Sequence, residues 1–346
     1  MDRRSLLKKL VLAPFVLPSI SVFAQDRFGL PPHHGENGFI NTDPGFTEAE
    51  FTEMAPWILK KLPSSFSSAE KVEIPRVYND GVLLGEHKPY TATWIGHSTV
   101  LVQMEGQTFL TDPVWSSRVG PFKWAGTERI SEPGLAIEKL PPIDFILISH
   151  NHYDHLDESS IEEIVDRNPN VKFFVPLRVR DWFEERGIRN VEELDWWEGA
   201  TFNSLKIICT PSQHFSGRWL NDRNQTLWCS WTVLGKKKLY FGADSGYCSH
   251  FKNIGTKFGP FDLAMIPIGA YEPEKLMKPV HMNPDEAVQT FLDLRGKKML
   301  PIHWGAYVMT DEPMDEPPKR LANAVAQKQL SKEDFWALKI GETREW

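Results

Sequence analysis

Four apolar runs in this chain each finish in a side chain that binds metals. "DFILIS" runs into His150, "KIICTPSQ" into His214, "LYFGA" into Asp244 and "KMLPI" into His303. A strand that is buried along its length and delivers a polar group at its tip fixes that group on a rigid frame. The first tip is the richest: residues 150–157 read "HNHYDHLD", three histidines and two aspartates in eight positions. His150 and His152 stand two residues apart, while Asp154 and His155 are adjacent and can turn toward a second point. That spacing suits two metals better than one. Adding His214, Asp244 and His303 gives seven groups, enough for three on each metal and one shared carboxylate. Imidazole and carboxylate without thiolate are typical of zinc in catalytic sites, where an open coordination position holds water. A single histidine on an apolar strand is more often a core or surface residue; an HxHxDH cluster followed by further strand-end ligands reads as a metal site.

The rest of the chain supplies a frame for such a site. With 346 residues, 41% of them hydrophobic, and 13 tryptophans, it can bury a sizeable core in one large domain or two small ones. From residue 91 onward short β-branched runs alternate with turn residues, among them "TATWIGH", "TVLVQM", "KFFVPL", "WCSWTVLG" and "DLAMIPIG". Helical patterns lie between some of them, at "SSIEEIVDRN", "VRDWFEERG" and "NPDEAVQTFLDLRG". This mixture predicts an α/β sandwich in which helices cover two packed sheets.

The first 24 residues stand apart. Arg3, Arg4, Lys8 and Lys9 precede the apolar "VLAPFVLPSISVFA", an export signal whose paired arginines resemble the twin-arginine type. The expected location is therefore the periplasm or envelope of a bacterium. Residues 25–88 read as an N-terminal extension, first an irregular arm, "QDRFGLPPHHGENGFINTDPGF", and then a helical pattern at Phe51, Met54, Ile58 and Leu62. Thr47 is a candidate cap for that helix and Pro56 a bend. Lys60 and Lys61 beside its apolar residues suit contact with a membrane surface, or the helix docks on the domain. Residues 89–346 form the main domain. The net charge of −7, more acidic still without the basic leader, argues against nucleic acid as a partner. Cys209, Cys229 and Cys248 show neither a CxxC pair nor an even count, and they read as small buried residues, with room for one bridge in an oxidising periplasm, rather than a disulfide framework.

The "HNHYDHLD" motif resembles that of the metallo-β-lactamase superfamily. The stretches "TATWIGHSTV", "FLTDPVWSSR", "ELDWWE", "TPSQHF", "FGADSGYC", "HMNPDEAV" and "IHWGAY" resemble its branch of N-acyl-phosphatidylethanolamine-hydrolysing phospholipases D. The resemblance spans about three quarters of the chain, from about residue 90. It implies an αββα sandwich, two zinc ions, a phospholipid substrate and a homodimer. Residue by residue, it gives His150, His152 and His214 to one zinc, Asp154, His155 and His303 to the other, and Asp244 to both. Water activated on the metals would attack a phosphodiester and expel N-acylethanolamine from phosphatidate, with Asp154 and Asp244 serving catalysis as ligands. His281, just before a predicted helix, is the candidate to give the leaving oxygen a proton or to grip phosphate, unless it is only a cap. Asp112, unless it only forms the turn before Pro113, and His97 are candidates to orient ligands from behind, and Tyr153, unless it simply packs, to donate to a phosphate oxygen. His33, His34, His87 and His250 have no such context and read as surface residues, and Trp196 and Trp197 as core more than as an acyl groove.

The chain departs from the branch in its leader and in the loop "SQHFSGRWLNDRNQTLW". Ester, lactone or amide hydrolysis on the same scaffold, or an envelope protein affecting permeability, are the alternatives.

Overall fold

A computed structural model describes residues 30–49, 51–61, 73–84, 90–219 and 221–346. The leader, Leu62 and His87 lie outside these residues.

Two sheets carry the molecule. The first has seven strands in the order Val191–Leu194, Lys172–Pro176, Phe145–Leu147, Gln107–Thr111, Thr99–Met104, Tyr90–Gly96 and Thr343–Glu345. The second has six, in the order Gly199–Phe202, Leu205–Thr210, Ser230–Leu234, Lys238–Phe241, Leu263–Pro267 and Met299–Ile302. Because side chains alternate along a strand, the run "FILI" serves two cores at once. Phe145 and Leu147 enter the central core with Trp94, Phe109 and Phe174 and with Ile207, Trp231 and Val233 of the opposite sheet. Ile146 and Ile148 face the other way, against Ile161 and Ile164 of the helix Glu158–Arg167. A strand covered on both faces reads as an unbroken apolar run rather than an alternating one. The outer face of the second sheet is covered by the helices His250–Phe258, Pro284–Asp293 and Glu316–Gln327. This is the expected αββα sandwich.

The helix Pro284–Asp293 begins with a capping box, Asn283 accepting from the Glu286 backbone while the Glu286 side chain accepts from that of Asn283. Three helices were not legible from periodicity, the four-residue Glu274–Met277 among them. Glu316–Gln327 opens "EPP", which sequence patterning reads as a break although proline fits the first turn. His250–Phe258 contains Gly255, where a Cβ would lie 1.9 Å from the Asp293 carbonyl oxygen. The hairpin Arg118–Phe122 with Ala125–Glu128 was also unread, since "RVGPF" lacks strand alternation.

The extension packs on the domain. His34–Gly35 and Gly38–Phe39 form a two-stranded hairpin, and Phe39 is buried in the main core. The helix Phe51–Lys61, with Pro56 inside it, is tied down by Lys61 to Asp311 at 2.7 Å and by the Trp57 indole N–H to the same carboxylate at 3.0 Å. Ile58 and Leu59 remain exposed. Among the described residues no helix is long and apolar enough to cross a membrane. The three cysteines are free and buried, as expected.

Candidate metal centre

The strands Tyr90–Gly96, Gln107–Thr111 and Phe145–Leu147 of the first sheet run in one direction, and Leu205–Thr210, Lys238–Phe241 and Met299–Ile302 of the second sheet likewise share one. Their carboxyl ends deliver His97, Asp112, His150, His214, Asp244 and His303, so six strand tips and the turn after His150 supply the site. The backbone bends sharply to do this: φ is 52° at His97, 33° at Asp112, 49° at Ala243 and 59° at His303. Left-handed backbone at residues other than glycine is strained, and it persists where the surrounding packing fixes it.

Two groups of donor atoms result. In the first, His152 Nδ1 lies 2.8 Å from His150 Nε2 and 3.3 Å from His214 Nε2. The far nitrogens are already engaged: His150 Nδ1 faces Ser149 Oγ at 2.9 Å and His214 Nδ1 faces the Val280 carbonyl at 2.9 Å. An Nδ1–H donated to Val280 leaves a bare lone pair on the inner nitrogen of His214. Three inward imidazole nitrogens at such distances either share a proton or hold a cation among them.

In the second group, Asp154 Oδ2 lies 3.3 Å from His155 Nε2 and 3.5 Å from His303 Nε2. His97 Nε2 braces that same oxygen at 2.9 Å, and Asp112 holds His155 Nδ1 at 2.7 Å. Asp112 is itself fully buried and accepts from the Ser149 backbone N–H at 2.8 Å and hydroxyl at 2.6 Å. Asp244 stands between the groups, 3.2 Å from His155, 3.1 Å from His303 and 3.7 Å from His214. His281 Nδ1 comes within 4.0 Å of it.

The fit to metal rests on atoms left over. His155 Nε2, His303 Nε2, Asp244 Oδ1 and His281 Nδ1 are buried and meet no partner in hydrogen-bonding geometry. Buried polar atoms are almost always satisfied, so four orphans facing one small volume mark a place built for a cation. The charges agree. Burial works to raise the Asp244 and Asp154 carboxyls, but His155 and His303 together, with His97 at Asp154, outweigh it and hold both well below the usual carboxylate range. Burial works to lower His303, yet Asp244 and Asp154 lift it to about 9. Carboxylates so buried need positive charge beside them, from protons or from metal.

All seven expected ligands are brought together, with His97 and Asp112 directly behind them. Tyr153 is placed differently: its hydroxyl gives its hydrogen to the Arg218 carbonyl at 2.8 Å and steadies the loop after His214, with the Arg218 guanidinium 4.0 Å over its ring. His33 and His34 are not surface residues. His33 is buried and its Nε2 lies 2.6 Å from one oxygen of Asp195, while His34 Nε2 lies 2.7 Å from the other. His250 is half-buried near Thr42. Trp196 is core and donates to the Trp228 carbonyl; Trp197 is 38% exposed, beneath Lys257. Sequence reasoning missed Ser149, although it directly precedes the motif, and the Val280 carbonyl, which no side-chain pattern announces.

Comparison with known proteins gives this geometry a family. Residues 107–304 match the family described as Beta-lactamase superfamily domain. The chain is 44% identical over 264 residues, 72% of its length and 74% of the relative's, to the N-acyl-phosphatidylethanolamine-hydrolyzing phospholipase D 1 of Caenorhabditis elegans. In fold it is similar to a metallo hydrolase from Ignicoccus hospitalis, with a TM-score of 0.57 and 20% identity over 74% of this chain and 98% of that one. It is also similar to a diiron beta-hydroxylase from Streptomyces venezuelae, with a TM-score of 0.55 and 20% identity over 75% of this chain and 54% of that one. The chain thus belongs to the β-lactamase superfamily of metal-dependent hydrolases, in the family of the N-acyl-phosphatidylethanolamine-hydrolyzing phospholipases D.

Proposed function

We propose that this protein is a dinuclear zinc phosphodiesterase of the phospholipase D type, cleaving N-acyl-phosphatidylethanolamine or a related phospholipid into N-acylethanolamine and phosphatidate. The observation that carries the proposal is Asp244 standing between two complete sets of donor atoms, in a chain 44% identical to a phospholipase of that name. His150, His152 and His214 would hold one ion, Asp154, His155 and His303 the other, with Asp244 shared. When bound, such ions supply Lewis acidity and a water acidic enough to attack at neutral pH.

The chain's own residues supply the rest. Asp112 and His97 keep His155 and Asp154 in register. Burial lowers His281 to about 4, so it faces the centre as a neutral imidazole near pH 7. Its Nδ1, unpartnered and within 4.0 Å of Asp244, is placed to hydrogen-bond phosphate or to pass a proton from the attacking water to the ethanolamine oxygen as the P–O bond breaks.

Beside the centre, the hairpin Arg118–Phe122/Ala125–Glu128 and the loop after His214 carry Phe122, Trp124 and Trp219, exposed by 49%, 65% and 59%. Phe122 stacks on Trp124 at 5.2 Å and meets Trp219 edge-on at 6.2 Å. A groove of about 320 Å³ is lined by Phe122, Val119 and Tyr153 together with charged residues such as Arg118, Lys123 and Glu162. Exposed aromatic residues clustered on one surface suit contact with an apolar partner such as a lipid surface. Export to the periplasm or envelope, read from the first 24 residues, belongs to the same proposal.

The test is product analysis with the purified chain on N-acyl-phosphatidylethanolamine, a lactone and a β-lactam in parallel. Release of N-acylethanolamine and phosphatidate is expected. Turnover of the lactone or lactam with none of the lipid would assign the centre to another hydrolysis.

A further inference from the structure

The arm ahead of the main domain reaches the metal centre. Asn41 Nδ2 donates to the backbone carbonyl of His214 at 2.8 Å, across 173 residues of sequence. Among the described residues of the arm, no other hydrogen bond reaches one of the seven donors. We propose that Asn41 is a positioning residue for His214, so that residues 33–43 form a strap that sets the geometry of the three-histidine group from outside the domain. The inference rests on His214 binding metal and is independent of the substrate.

Three features support it. The strap is fastened on both sides of Asn41. Upstream, Asp195 holds His33 and His34, and the His33 ring stacks on Trp196 with centroids 4.3 Å apart. Downstream, Asp43 accepts from the Ser249 backbone N–H at 2.7 Å, five residues after Asp244. Next, the strap runs in close contact with the loop that follows His214. The Phe39 N–H donates to the Asn224 carbonyl at 2.8 Å, and Asn224 in turn receives from and donates to Ser216. Gly38, at a φ of 142°, lies so near that a Cβ there would sit 2.2 Å from the Asn224 oxygen. Finally, the main domain holds Gln213, by its N–H on Ser245 Oγ at 2.8 Å and its carbonyl on the Gly246 N–H at 2.9 Å, whereas among the described residues Asn41 is what bonds the next carbonyl, that of His214. Its ring is aimed by the Val280 carbonyl at Nδ1, and its backbone lies past Thr210, where the ladder ends. With the ring and the carbonyl each held from a different segment, its inner nitrogen has one direction to point. Partners outside the first ring of ligands typically change metal affinity by about 10–100-fold when lost.

The experiment uses the full chain. Asn41→Asp keeps the volume but cannot donate, and it sets an oxygen against the His214 carbonyl. Glu48→Gln, on the same arm but paired only with exposed Arg223, serves as the comparison. Affinity for zinc is read by chelator competition, the ligand field by the absorption of the cobalt-substituted protein, and local opening by hydrogen exchange over residues 211–217. For Asn41→Asp we expect zinc affinity to fall by about tenfold or more, the cobalt spectrum to change, exchange at 211–217 to rise, and kcat to fall with KM nearly constant. Glu48→Gln should leave all four at wild-type values. Wild-type affinity and an unchanged cobalt spectrum in Asn41→Asp, even with a lowered melting temperature, would overturn the positioning role and leave the arm as packing. An equal loss in Glu48→Gln would also overturn it, because the effect would then belong to the arm and not to Asn41. Wild-type protein that takes up no metal would instead remove the premise, and with it the function proposed above.

Discussion

Among the described residues stand two clusters of histidine and aspartate, one buried and one partly so, and they satisfy their polar atoms in opposite ways. At Asp195, two imidazoles meet two carboxylate oxygens at 2.6 and 2.7 Å, and hydrogen bonds account for every short distance. At Asp244, the neighbouring nitrogens stand at 3.1 to 3.7 Å, and His155 Nε2, His303 Nε2 and Asp244 Oδ1 find no hydrogen bond. The first cluster is complete without an ion and fastens one segment to another. The second is incomplete without one. Residue type alone does not separate a latch from a metal site; whether the donor atoms are already spent does.

The largest effect should come from the shared carboxylate. Asp244→Asn is expected to strip metal and lower turnover by more than about a hundredfold, beyond what a supporting partner costs, as checked by elemental analysis with steady-state kinetics. Asp112→Asn should act one step removed, by loosening the grip on His155. A loss of about 10–100-fold in metal affinity, with KM little changed, is the expected result of chelator competition and kinetics. The latch should behave otherwise. His33→Ala/His34→Ala should cost about 1–3 kcal/mol in unfolding free energy by denaturant titration and still fill with metal in excess zinc, its zinc affinity weakened no more than that of Asn41→Asp. A loss of metal in that double variant would erase the distinction between the clusters.

The smallest effect concerns acid. Burial works to raise Asp195, but its bonds from His33 and His34 prevail and lower its pKa. A carboxyl lowered on folding stabilises above its unfolded pKa of about 3.9, and that contribution disappears as pH falls through the folded value. The stability difference between wild type and Asp195→Asn should therefore be full near pH 7 and shrink below about pH 4. A difference that stays constant across this range would mean that Asp195 holds the arm without its charge.

The same contrast explains what could be read from sequence. The seven donors were legible because their signal is local: HxHxDH sits within six residues, and each remaining ligand ends an apolar run. The two-sheet architecture was legible for the same reason, through runs such as "DFILI" and "KLYF". The latch was not. His33 and His34 find Asp195 across 162 and 161 residues, and neither end carries a pattern pointing to the other. Asn41 on the His214 carbonyl is hidden in the same way, since a side chain that bonds to backbone leaves no trace in the partner's identity. Tyr153 misled because its place in the motif suggested substrate, whereas the fold gives its hydroxyl to a neighbouring loop. His281 was legible as a residue near the centre but not in its protonation, which follows from burial.

The most direct test of this account is the metal content of the purified chain beside its Asp244→Asn variant, both freed of adventitious ions by dialysis. The account predicts about two ions per chain in the wild type and loss of at least one in the variant. A wild type with no bound metal, or a variant that keeps both ions, would contradict it.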